Sequence, residues 1–357
     1  MSRYIDSEFK KTISGSVFSA YPKFEELQAI INSGFESLID SISNNNNSVI
    51  VLLDLHSVFS PLFSDHNKDL FENKSNKKAL AINIAAAVIN GIGYYRQFFK
   101  KYYNASTEIY AYYNISTESE HVAKLVKDIK DPWKNELLDI LRNALKIINI
   151  LVSYIPGIYL IDTKLYMREY FISYVIKELK DQTIVVVSRS DVAYKSVLMS
   201  DNVFVIRPSS SKTRIIDRSN LLDCVVLENK QTTDLIPEFY NVILAMKGVD
   251  EYESEKIDRL GLKSAYNFIG KKIIVDPITF SNPIAFANKY LLDESKINIV
   301  TNNFIKFLNL NDIPMPILFD ELIKIQCPDK DTDIDTFILH NKSIFNETLN
   351  VQTLFNI

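Results

Sequence analysis

The feature that most constrains this chain is the segment Gln182–Pro208, QTIVVVSRSDVAYKSVLMSDNVFVIRP. Ile184–Val187 is an unbroken run of β-branched apolar residues that gives way to Ser188-Arg189-Ser190-Asp191. A short amphipathic piece follows, and a second run, Val203–Ile206, is stopped by Pro208. A strand with one wet face alternates polar and apolar residues, whereas a continuous Val/Ile run belongs to a strand covered on both faces, as in a parallel sheet. Open sheets of that kind gather ligands just beyond the carboxyl ends of their strands. Asp191 falls at such an end.

The rest of the chain follows the same grammar. Lys23–Ile42 carries apolar residues at helical spacing and is ended by the Asn44–Asn47 run. Ser48–His56, SVIVLLDLH, predicts a first buried strand with Asp54 at its carboxyl end. A carboxylate there is costly to bury without a partner, so Asp54 is either a metal or catalytic ligand or a structural cap. Lys77–Lys101 predicts a long helix, and Glu108–Asn114 a second strand. In Pro132–Ser153 the proline suits the first turn, and Leu137, Leu141, Leu145 and Ile148 make an apolar stripe. Ile158–Ile161 predicts a third strand and Tyr166–Leu179 another helix, which leads into the segment above. Strands alternating with helices argue for an α/β parallel sheet with helices on both faces.

After Pro208 the pattern changes. Thr213–Ile216 predicts a short hairpin strand, Asn220–Leu227 is ambiguous, and Pro237–Lys247 predicts a helix ending at Gly248. A charged link and a Leu260-Gly261-Leu262 turn then lead into a second helix. Ile273–Pro277 is strand-like, whereas Pro283–Leu292 and Ile299–Leu308 are helical. Beyond Pro314 the chain reads as irregular, with a charged loop at Asp329–Asp335. The expected division is a helical extension at 1–47, an α/β core at 48–208, a helical region at 209–310 and a C-terminal extension at 311–357.

Several function classes are disfavoured. No apolar run reaches the roughly 18 to 20 residues of a membrane span, and MSRYIDSEFKK lacks the apolar core of a signal peptide. The expectation is a protein of the host cytoplasm or of a virion, neither secreted nor membrane-bound. Cys224 and Cys327 read as free thiols, and His56, His66, His121 and His340 show no metal-ligand spacing. A net charge of −4 argues against a generally basic nucleic-acid binder. Heavy use of Asn, Ile, Lys, Tyr and Phe is what an AT-rich genome writes, and suggests a phage, a virus or a low-GC bacterium.

In this order the segments resemble the 5′-nuclease superfamily of flap endonucleases and phage 5′→3′ exonucleases, and within it the ribonuclease H of T-even phages. Four stretches carry the resemblance. SVIVLLDLHSVFSPLF is similar to the first strand with its terminal Asp. KIINILVSYIPGIYLIDTKLYMREYFISYVIKEL is similar to the helix, strand and helix that carry a Glu-x-x-Asp motif. TIVVVSRSDVAYKSVLMSDNVFVIRP is similar to the Asp-x-Asp strand and loop. ILAMKGVDEYESEKIDRLGLKSAYNFI is similar to the helix–three-turn–helix, with Gly261-Leu262-Lys263-Ser264-Ala265 in place of a Gly-x-Lys-Thr-Ala pattern.

The resemblance implies a PIN-like α/β core and metal-assisted phosphodiester hydrolysis, with Mg²⁺ or Mn²⁺ held by a cluster of carboxylates. Asp54 and Asp191 match two of the ligand positions. The others fall on Tyr113, Met167, Tyr170 and Ala193, with Glu169 and Asp250 out of register. The implied site is therefore degenerate: Asp54 and Asp191 are vestigial, no cofactor is expected, and the enzyme reading is disfavoured. Gly261 and Lys263 are the residues left to grip duplex phosphates, beside acids at Asp250, Glu251, Glu253, Glu255 and Asp258. Lys124, Lys127, Lys130 and Lys134 alternate with Glu118, Glu120, Asp128 and Asp131, the pattern of a solvated face. The expected function is a structural or assembly component of a virion, bound to other virion or assembly proteins through the aromatic helix end Tyr94–Tyr103 and the C-terminal extension. The alternatives are an active 5′ nuclease using Mg²⁺ or Mn²⁺, and a non-cleaving protein that binds duplex or flap DNA.

Overall fold

In the computed structural model the described residues are 33–59, 62, 68, 77–113, 132–153, 155–163, 168–208, 214–227, 235–249, 254–273 and 276–308. Their centre is a six-stranded sheet: β1 (Ser48–Asp54), β2 (Ser106–Tyr113), β3 (Ile158–Asp162), β4 (Ile184–Val187), β5 (Val203–Arg207) and β6 (Arg214–Ile216). The spatial order is β3-β2-β1-β4-β5-β6. The first five strands are parallel, and β6 returns antiparallel to β5 with Arg207 opposite Arg214. The chain thus builds outward from β1 in one direction and from β4 in the other. The order reverses between β1 and β4, and such a reversal opens a crevice at the carboxyl ends of the two strands.

Both faces of the sheet are covered, as the unbroken apolar runs require. Val49, Val51 and Leu53 of β1 point into one core and Ile50 and Leu52 into the other. The first core is closed by α1 (Ser33–Asn44), α2 (Leu55–Phe59), α3 (Lys77–Tyr103) and α4 (Pro132–Val152). Asn46 and Asn47, after α1, take positive φ angles, which Asn tolerates better than most residues. The second core is covered by α5 (Arg168–Glu178), a 3₁₀ turn at Ala193–Leu198 and α6 (Leu221–Val225). It continues without a break into α7 (Phe239–Lys247), α8 (Leu262–Lys272), α10 (Pro283–Tyr290) and α11 (Glu294–Asn303), with the short α9 (Pro277–Phe280) packed at its margin. Buried Asn303 ties this layer together by donating to the carbonyls of Ala245 and Glu255, 2.8 Å each.

Two expectations need correction. Ile273 is not in a strand: α8 runs through Lys272, and Asp276 accepts the Thr279 N–H at 3.1 Å to cap α9, with Pro277 in its first turn. An Asp-Pro pair after an apolar doublet is a helix start, and that signal overrides the strand-like run. Much of the aromatic end of α3 is also not a free surface, although Tyr94 and Tyr102 are only half-buried. Tyr95, Phe98 and Phe99 are fully buried and Tyr103 nearly so, with the Phe98 and Phe99 rings 5.0 Å apart edge to face. These rings fill the first core. Cys224 is buried, while Cys327 and the C-terminal extension lie outside the described residues, as do Lys124, Lys127, Lys130 and residues 1–32. Among the described residues no helix is long and apolar enough to cross a membrane.

Candidate functional site

The crevice between β1 and β4 holds both acids that the sequence singles out, each in a different state. Asp54 ends β1 and is 1% exposed. Leu53 pairs with Val187, so Asp54 and Ser188 are neighbours at the ends of adjacent strands. One Asp54 oxygen accepts the hydroxyls of Ser57 and Ser188, each at 2.8 Å, and the other accepts the His56 N–H at 3.0 Å. The network goes on: Ser57 Oγ accepts the Arg189 N–H at 2.9 Å and Ser188 Oγ accepts the Ser190 N–H at 3.1 Å. Asp54 therefore caps α2 and staples β1 to the loop that follows β4. Of its two readings, the structural cap is the one this geometry supports.

Asp191 lies one turn beyond β4, its side chain 24% exposed, and forms an ion pair with Lys247 at the end of α7. Its carbonyl accepts the Tyr240 hydroxyl at 2.9 Å. Tyr240 is wholly buried, and its phenol is held well above the usual range. Burial is the largest cause, the Asp191 carboxylate and Tyr194 add to it, and Arg207 opposes them. Lys247 is the functional residue that sequence reasoning missed. The signal was present: it is the one charged residue in the mostly apolar FYNVILAMK, immediately before Gly248.

The remaining ligand positions do not converge. Tyr113 ends β2, directly opposite Asp162, and its phenol is pushed up by burial and then by the Asp162 carboxylate. Asp162 is an acid the sequence reading stopped one residue short of. Leu160 and Tyr113 both face the first core, so strand alternation places Asp162 on the face opposite Asp54. Ala193 is buried in the 3₁₀ turn, and the Tyr170 hydroxyl points to the carbonyl of Lys306 at 3.4 Å. Met167, Asp250, Glu251, Glu253 and the side chain of Glu169 lie outside the described residues.

Divalent Mg²⁺ or Mn²⁺ needs several free oxygen ligands. Here Asp54 accepts three hydrogen bonds from the protein, Asp191 is matched by an ammonium, and Tyr113 and Ala193 carry no carboxylate. Among the described residues no three His, Cys, Asp or Glu side chains gather as a metal-binding group. These residues do not fit a two-metal centre.

Cations stand nearby instead. Arg189 is half-buried, its guanidinium lowered first by desolvation, with Tyr194 and Tyr95 acting against that shift. The Arg207 guanidinium lies over the Tyr194 ring, 5.5 Å from its centre. Further along, Gly261 is the exposed N-cap of α8, with no side chain capping the helix and nothing within 4 Å of where a Cβ would stand. Lys263 is exposed in the first turn, while Ala265 and Ile269 anchor α8 in the second core. Glu255, Lys256, Asp258 and Arg259 are exposed on its approach.

No family model and no curated protein matches the chain. Solved structures do. One is a bacteriophage T5 flap endonuclease, a pseudo-enzyme–product complex with DNA and metal ions. It shares 12% identity over 86% of this chain and 99% of that one, with a TM-score of 0.45. Another is T5 5′-exonuclease with bound zinc, at 14% identity over 87% of this chain and 99% of that one, with a TM-score of 0.44.

Proposed function

We propose that this chain is a 5′-nuclease-like protein that has lost two-metal cleavage and works by binding. The observation that supports this most is the Lys247–Asp191 ion pair. An ammonium stands against the carboxylate that a metal would need, and it neutralises the acid without supplying a Lewis acid or an activated water. Asp54, tied into a serine network, adds to the same reading. In this reading the chain needs no cofactor and serves as a structural or assembly component, in the phage or viral setting that its composition suggests. Its partners are other virion or assembly proteins.

A second binding reading is favoured by a separate observation. The uncapped, exposed start of α8 at Gly261 and Lys263 suits a phosphate contact of a non-cleaving DNA-binding protein. The test is incubation of flapped, nicked and single-stranded DNA with the protein in Mg²⁺ and in Mn²⁺. The expected result is intact substrate. Cleavage that disappears in an Asp54→Ala, Asp191→Ala double variant would overturn the proposal and establish the active nuclease. Salt-dependent duplex binding, weakened by Lys263→Ala, favours the DNA-binding reading over the assembly one. Co-purification with capsid or tail proteins from infected cells favours assembly.

A further inference from the structure

The antiparallel pair at the sheet's edge places two arginines directly opposite each other. Arg207, the last residue of β5, is the register partner of Arg214, the first residue of β6. Registered partners leave a sheet on the same face, and like charges directly opposite one another are destabilising. Here that face is the second core's, since Val203, Val205 and Ile216 pack into it. Among the described residues neither arginine pairs with a carboxylate. Arg207 rests over the Tyr194 ring, and Arg214 donates to the carbonyl of Cys224. Both are half-buried. Asp191, which with Arg207 acts on the Tyr240 phenol, is engaged by Lys247.

We propose that Arg207 and Arg214 form a binding site for a phosphate group of a nucleic-acid strand. The inference rests on the binding reading above and names the ligand chemistry. Each guanidinium presents parallel N–H donors to two oxygens, and a tetrahedral phosphate has oxygens enough for two such forks, which a carboxylate does not. Cross-strand partners stand about 5 Å apart at Cβ, within reach of one shared anion. The Tyr194 ring beneath Arg207 holds that guanidinium in place. The bound anion cancels the repulsion that the fold alone leaves standing.

The decisive variant is Arg207→Glu, which turns the like-charged pair into an opposite-charged one. It removes the phosphate site while sparing, or raising, the stability of the fold. Two readouts are taken on the full chain. One is the thermal midpoint in sodium phosphate against sodium chloride at equal ionic strength. The other is fluorescence anisotropy with a short thymidine oligonucleotide, with and without a 5′-phosphate.

Phosphate is expected to raise the midpoint of the native chain and not that of Arg207→Glu. Oligonucleotide binding is expected to weaken about tenfold or more in the variant, the size of a lost charge-assisted contact. Arg207→Lys, which keeps the charge and loses the fork, falls between. Arg214→Gln serves the same comparison should Arg207→Glu fail to fold. Equal phosphate responses in the native chain and the variants overturn the site. A phosphate response without oligonucleotide binding overturns the nucleic-acid source and keeps the phosphate chemistry. Cleavage in Mg²⁺ or Mn²⁺ overturns the non-cleaving reading alone, whereas a native chain that shows neither a phosphate response nor oligonucleotide binding, and no cleavage, overturns the arginine site alone.

Discussion

Asp54 and Asp191 stand at the ends of adjacent central strands, yet the chain treats them in opposite ways. Asp54 is sealed from water and held by neutral donors, two hydroxyls and a backbone N–H. Asp191 reaches solvent and is held by a full charge, Lys247. The contrast teaches that a carboxylate at a strand end is not evidence of a ligand. A sealed acid that accepts three hydrogen bonds from the protein is a fastener. An open acid facing an ammonium is a surface charge pair.

The largest effect is expected at Asp54. Asp54→Ala strips the partner from the Ser57 and Ser188 hydroxyls and from the His56 N–H in a site without water access. Leaving buried polar groups unsatisfied costs about 1 to 3 kcal/mol each, not additively, so a loss of about 3 kcal/mol is expected in urea denaturation. A stable Asp54→Ala variant would break the comparison, because a metal ligand can be removed without loosening the fold.

The sequence announced the sheet well. The unbroken apolar runs of β1 and β4 specified a two-sided parallel sheet, and the strands on either side followed in order. It announced the site poorly, because a site is made by long-range contacts. Nothing near Asp191 in the chain signals that Lys247, on another helix, will meet it. Nothing local tells that Ser188 will share a carboxylate with Ser57. Asp162 lay one residue beyond the expected end of its strand, and that one residue decides which face an acid points to. The aromatic cluster of α3 was equally mute, since Tyr95 and Phe98 look alike whether they bind a partner or fill a core.

A middle-sized effect sharpens the Asp191 side. Tyr240→Phe removes the hydroxyl that donates to the Asp191 carbonyl and is expected to cost about 1 kcal/mol at neutral pH. The pH dependence has a definite sign. The folded-state pKa of Tyr240 lies above its unfolded value of about 10, so the native chain holds the proton more tightly. That stability is complete below pH about 10 and is lost as pH rises through the folded pKa. Tyr240→Phe should lessen the alkaline loss, with the remainder set by Tyr103, Tyr110 and Tyr113, which burial also raises. An unchanged alkaline profile would show that Tyr240 is not sealed against the Asp191 loop.

The smallest effect tests the comparison most directly. A double-mutant cycle on Asp191→Ala and Lys247→Ala isolates their coupling. Both side chains are about a quarter exposed, so the coupling is expected at or below about 1 kcal/mol, and it should shrink as salt is raised. A coupling of about 3 kcal/mol or more, insensitive to salt, would mean that the pair behaves as a buried one. Asp191 would then be a second fastener like Asp54. A weak, salt-sensitive coupling keeps Asp191 as an acid that a competing cation can reach. It also makes Lys247, rather than burial, the reason that Asp191 is not free to act as a ligand.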